Sequence, residues 1–239
     1  MLGVSQEYFA NDFSQDLAEK LKDVPEENLV SPRPSIAAPA VEGLTYSLDE
    51  PDLKDLYLSL LKTASDGRVS TNAHPSFVRV IREMTSEEAR LLSELFKTYN
   101  DVLPIVTIKL KTGRQEGGAI IMSRHVLDID NENGLPMMVQ HLATYVDNWT
   151  RLGLVDISYS SFLTRENAYE WVETRPEYIS VISKSSLLRT GRKRVPQRST
   201  IRGTCVCPIS ASFLPRQYLW VHKMRLMPPI RRNSPRTTH

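Results

Sequence analysis

His74 is the side chain in this sequence best suited to acid–base or ligand chemistry. It precedes Pro75 at an expected helix start, with Asp66, Arg68 and Asn72 close along the chain. Imidazole is the side chain whose ordinary titration falls near neutral pH. No second His or Cys stands at metal-ligand spacing from it, which favours a helix cap or a buried hydrogen-bonded ring. Asp147, Asn148 and Arg151 form a second polar group around Trp149. They are read as partner contacts or as stabilisers of a helix end. His125 and His141 are isolated in sequence. Asp128, Asp130 and Glu132 imitate the start of a calcium loop, but the glycine at its sixth place and its closing acid are missing. A polar turn is therefore expected there. Cys205 and Cys207 form a lone C-x-C with no nearby His or further Cys, a poor zinc signal. The sequence contains no phosphate-binding loop, no G-x-S-x-G elbow, no H-E-x-x-H and no paired CxxC. No metal and no cofactor is expected, and no catalytic residue is assigned.

The elements that must position these residues are legible from hydrophobic period. Phe13, Leu17 and Leu21 mark a short helix over residues 12–23, stopped by Val24-Pro25. Residues 36–46 read as a helix rich in small side chains. Leu53, Leu56, Tyr57, Leu60 and Leu61 form one helical stripe, with Pro51 in the first turn, Asp49 as cap and Asp66-Gly67 as stop. Phe77, Val80, Ile81 and Met84 face inward on the helix that His74-Pro75 opens. Thr85 and Glu88 have the spacing of a capping box. Leu92, Leu95, Phe96 and Tyr99 supply the buried face that follows. Val106, Ile108 and Leu110 then alternate with polar residues as a strand, residues 112–118 read as a turn, and residues 119–122 as a second strand. Pro136 is expected to start a long helix carrying Met138, Val139, Leu142, Tyr145, Val146 and Trp149. Gly153 is its left-handed cap, and residues 155–159 form a short strand.

This order predicts a mainly α, α+β protein. Residues 1–84 form an N-terminal helical region. Residues 85–180 form a winged-helix-like region of helix, hairpin, helix and strand. Residues 187–239 form a basic tail without acids, Leu187 to His239 holding both cysteines and 6 of the 15 prolines. The net charge of +2 conceals this division. Residues 1–177 carry all 28 acids and 17 of the 30 Lys/Arg, a net −11, and residues 178–239 carry the other 13, a net +13. An acidic body repels nucleic acid backbones, while a basic tail attracts any polyanion.

The Leu17 to Glu27, Ile36 to Ala40, Leu56 to Ala64, Ala73 to Val78, Thr85 to Ala89, Leu103 to Val106 and Tyr145 to Leu154 phrases, in this order and spacing, resemble the abortive-infection alpha family over about residues 12–180. The resemblance implies a bacterial or phage-associated cytosolic protein that stops phage growth by harming or arresting the infected cell. It implies no established reaction, cofactor or catalytic residue. Two departures stand out: the lead-in before the first matching helix is shorter than the family's, and the Leu-Thr-x-Phe-Gly phrase near the family's end is missing. The tail has two readings. It is a disordered basic arm, with Arg192, Lys193, Arg194, Arg231 and Arg232 meeting phosphates of nucleic acid or anionic lipid. Otherwise it is out-of-frame translation of the family's ending.

Three functions follow as expectations. The first is a phage-defence protein acting through contacts with a phage or host protein. The second is a winged-helix nucleic-acid-binding regulator, weakened by a helix at 136–152 that carries Asp147 and one arginine. The third is an unrecognised hydrolase or nuclease. A non-enzymatic role is favoured. No run approaches the roughly 18 apolar residues of a membrane span, and no secretory signal opens the chain, so a cytoplasmic location is expected.

Overall fold

The computed structural model describes residues 2–98, 102–111, 119–159, 163–164, 166–187 and 202–208. Six helices come first: α1 (Leu2–Asn11), α2 (Phe13–Leu21), α3 (Pro34–Thr45), α4 (Pro51–Ser65), α5 (Ser76–Arg82) and α6 (Ser86–Thr98). The strands β1 (Leu103–Lys111) and β2 (Ala119–Leu127) follow. Then come α7 (Leu142–Arg151), β3 (Val155–Ser158), α8 (Pro176–Leu187) and β4 (Arg202–Pro208). The fold is α+β and mainly α, as the periodicities predict.

Helix α4 is the hub. The stripe read from sequence is buried at Leu53, Tyr57, Leu60 and Leu61, and Leu58 and Ala64 are buried as well. Helices α2, α3, α5 and α6 all pack on it. A helix surrounded this way loses its polar face, which is why the stripe underestimates its burial. Helix α3 lies so close that a Cβ on Gly43 would stand 2.5 Å from the Tyr57 ring and hydroxyl. The cap of α4 differs from expectation: Glu50, not Asp49, occupies the N-cap position, and no side chain bonds the first turn there. Pro51 at the first helical position already removes one of the donors a cap would satisfy.

The four strands form one antiparallel sheet in the order β2-β1-β4-β3. Strand β1 buries side chains on both faces. Leu103 and Ile105 join the main core, which extends from Tyr8 to Val155, whereas Val106 and Ile108 face a smaller cluster with Val126, Val172 and Val181. Helix α7 packs on the sheet from the main-core side through Val146 and Trp149. A 3-10 turn at Glu170–Thr174 and helix α8 supply Val172 and Val181 to the other cluster. Strand β4 comes from the acid-free segment and fills the place between β1 and β3.

Helix α7 starts at Leu142, later than the expected start at Pro136. The intervening chain is held by backbone partners that a helix would have to break. Pro136 bridges Asp130, the Asn131 N–H donates to the Leu135 carbonyl at 2.8 Å, and the Met137 N–H donates to the Ile129 carbonyl at 2.9 Å. His141 then takes a left-handed conformation (φ 65°) before the first turn. The other end follows the sequence reading. Gly153 is left-handed (φ 73°), the Leu154 N–H reaches the Trp149 carbonyl at 2.9 Å, and the Gly153 N–H reaches that of Thr150 at 3.1 Å. This pair of bonds is a Schellman closure.

Candidate functional site

The polar residues singled out from the sequence divide into three places. His74 is exposed at the start of α5. Its Nδ1 accepts the Ser76 N–H at 3.1 Å and lies 2.7 Å from the Ser76 hydroxyl. These contacts satisfy a free donor of the first helical turn. Arg68 pairs with Asp66 at 2.7 Å.

Asn148 and Arg151 join a clasp between α7 and the α5–α6 corner. Thr85 and Glu88 form the expected capping box. The Thr85 N–H donates to Glu88 Oε2 at 2.8 Å, and the Glu88 N–H donates to Thr85 Oγ1 at 3.2 Å. The other oxygen of that buried carboxylate accepts Asn148 Nδ2 at 2.8 Å, and the same amide donates to the Glu83 carbonyl at 2.9 Å. Asn148 Oδ1 accepts Arg151 Nη2 at 2.7 Å, and Arg151 Nη1 meets Glu83 Oε2 at 2.6 Å. Arg79 holds the other Glu83 oxygen at 2.7 Å. Arg79, with Arg151 second, keeps the Glu83 carboxyl below its ordinary range. Tyr145 donates to Glu87 Oε2 at 2.6 Å. That bond, followed by burial, pushes its phenol up to about 12.

Both bonds donated by the Asn148 amide dock α7 on the corner, and its oxygen steadies Arg151 toward Glu83. Asn148→Asp is nearly isosteric and sets a carboxylate against Glu88. The variant is expected to lose about 1–3 kcal/mol, from an unmet half-buried acceptor and like-charge repulsion. Urea unfolding at neutral pH measures it, and an unchanged midpoint would refute the role of the amide.

Asp147 points elsewhere. His125, isolated in sequence, is not isolated in space: its Nδ1 lies 3.5 Å from Asp147 Oδ1, and its Nε2 lies 3.3 Å from Tyr159 Oη. The ring is buried, and its backbone is left-handed (φ 52°) inside a strand. Register explains this. Val106 faces Val126 and Ile108 faces Ser123, so Thr107 stands opposite two residues, Arg124 and His125. This is a β-bulge, a device that bends a strand and re-aims a side chain. Glycine ordinarily takes such a φ, so a histidine there is under strain. Sequence reasoning missed the grouping because no glycine marks the bulge.

Arg175 was also missed. It is fully buried and donates to the Ile129 and Met137 carbonyls, with Glu177 Oε2 3.5 Å from its Nε. It thereby fixes both sides of the 128–137 loop. In that loop Asn131 Oδ1 accepts the N–H groups of Asn133 and Leu135 at 2.9 and 3.0 Å. Asp130 and Glu132 are exposed on this polar turn. Among the described residues, no three His, Cys, Asp or Glu side chains converge on a metal position. Arg192, Lys193, Arg194, Arg231 and Arg232 lie outside the described residues, as does Tyr99.

A model of the abortive infection alpha family matches residues 5–205. The chain belongs to the abortive infection alpha family. The match takes in the clasp, the His125 group and Arg175, and it ends inside β4. No curated protein and no solved structure matches the chain. Among the described residues, no helix is long and apolar enough to cross a membrane.

Proposed function

We propose that this chain is a phage-defence protein of the abortive-infection kind and that it acts through protein contacts. Family membership supports the defence role. The contact mode rests on one observation, the loop that Arg175 fixes. Leu135 on it and Met138 just after it are 60% and 62% exposed, with Met137 also at the surface. Large apolar side chains held out by a braced backbone cost little conformational entropy when a partner covers them. Methionine adapts to an irregular apolar partner. Such a loop fits a protein surface of phage or host better than a nucleic acid, whose backbone calls for cations.

The experiment is plaque formation on a host with and without the gene, over a broad phage panel. The intact gene is expected to lower plating on at least one phage. The Leu135→Asp, Met138→Asp double variant is expected to restore plating without altering the thermal midpoint, since neither side chain is in the core. Unchanged plating with the intact gene would remove the defence role. Full restriction by the double variant would remove the loop from it.

A further inference from the structure

We propose that Asp147, His125 and Tyr159 form a nucleophilic relay that makes the Tyr159 phenol reactive toward an activated acyl carbon, an ester or thioester. The elements of the relay converge from three places. The β2 bulge turns His125 inward, α7 supplies Asp147, and the chain just after β3 supplies Tyr159. The relay uses one tautomer of the neutral ring. With its proton on Nδ1, the imidazole faces the Asp147 carboxylate as a donor, which leaves Nε2 to accept from the Tyr159 O–H. Nucleophile, base and orienting carboxylate therefore stand in the order that nucleophilic catalysis requires. The contacts of 3.3 and 3.5 Å are long for hydrogen bonds. Such contacts commonly tighten only when substrate is bound.

Two further observations support the relay. Nδ1 of the buried ring makes no hydrogen bond to the described residues, and the Asp147 carboxylate 3.5 Å away is the acceptor placed to take one when the site tightens. The ring is buried, yet the phenol it meets is 69% exposed, open to a substrate from solvent. The Asp147 carboxylate beside the ring disfavours a phosphate anion and favours an uncharged acyl centre.

In the step itself, Tyr159 Oη forms a bond to the acyl carbon as the bond to the leaving alcohol or thiol breaks. The phenol proton passes to His125 Nε2 and then to the leaving group. The products are an acyl-tyrosine and the free alcohol or thiol. Tyr159 and His125 are the catalytic residues; Asp147 is a positioning residue.

The full chain is treated with p-nitrophenyl acetate, and acetyl gain at each tyrosine is followed by peptide mass spectrometry. Tyr46, 70% exposed, is the internal reference. Tyr159 is expected to acetylate at least about tenfold faster than Tyr46, the low end below ordinary general-base assistance. His125→Asn suits the left-handed backbone but supplies no base, and should bring the Tyr159 rate down to that of Tyr46. Asp147 is exposed, so Asp147→Asn keeps the fold and should slow Tyr159 while leaving Tyr46 unchanged. Equal rates at Tyr159 and Tyr46 in the parent chain, or a His125→Asn chain that keeps the faster Tyr159 rate, would overturn the proposal. A negative plaque assay leaves this outcome unaffected, because the relay does not rest on the defence role.

Discussion

Replacing Arg175 with alanine is expected to destabilise the fold by about 3–5 kcal/mol, the usual cost of breaking a buried charge pair from one side. The guanidinium is fully buried, and it satisfies groups that have few other partners. The Ile129 carbonyl keeps the Met137 N–H when the arginine is removed. The Met137 carbonyl loses the guanidinium, and Glu177, also buried, loses its counter-charge. An unmet buried carbonyl costs about 1–3 kcal/mol, and an unpaired buried carboxylate costs more unless it takes up a proton. Arg175→Met with Glu177→Leu removes both charges and leaves chiefly the carbonyl unmet, so it is expected to recover part of the loss. Urea midpoints of the single and double variants measure both effects. An Arg175→Ala loss below about 1 kcal/mol would show that water reaches the site and that the clamp is weak. The loss should also loosen the 128–137 loop, so the single variant is expected to protect its amides from hydrogen exchange less well than the parent.

Local rules made much of this fold readable. The α4 stripe, the Thr85–Glu88 box, the alternation at Val106 and Ile108 and the left-handed Gly153 each depend on residues a few positions apart. What stayed hidden depends on distant partners. An arginine in sequence reads as solvated surface, because nothing local shows that two carbonyls some 40 residues earlier need donors. Pro136 carries a helix-start signal, but its bridge to Asp130 makes it the closing arm of a turn. The place of β4 between β1 and β3 pairs segments far apart in the chain, Leu103 with Val206 and Val155 with Pro208, beyond the reach of any periodicity.

The candidate site follows the same division. Asp147, Asn148 and Arg151 were grouped by sequence as one polar patch beside Trp149. Helical geometry separates them, since residues next to each other point about 100° apart. Asn148 and Arg151, three apart, share the clasp, while Asp147 turns toward the sheet and meets His125. The histidine that looked suited to chemistry, His74, holds a helix start. The one that looked isolated, His125, stands between a carboxylate and a phenol.

Both polar groups are carried by α7, so the anchor of that helix is the second place where a large effect is expected. Trp149 is fully buried in the main core, with the Tyr145 ring 6.5 Å away. Trp149→Ala is expected to cost about 3–5 kcal/mol, from lost burial and the cavity left between α7 and the sheet. Trp149→Phe separates packing from polarity. The indole Nε1 is buried with no hydrogen-bond partner among the described residues. Phenylalanine gives up part of the ring volume but also removes that unmet donor, whose burial itself costs about 1–3 kcal/mol. The two changes oppose each other, and a net loss of about 1–2 kcal/mol is expected. A Phe variant as unstable as the Ala variant would mean that the indole N–H has a partner after all. The Ala variant tests more than stability, because Asp147 and Asn148 flank Trp149 in the chain. A loosened α7 should release the Asn148 amide from Glu88 and the Asp147 carboxylate from His125 together. Faster amide exchange along α7 should therefore accompany slower acetylation of Tyr159 relative to Tyr46. If α7 exchanges faster while Tyr159 keeps its rate, the relay does not depend on where α7 holds Asp147.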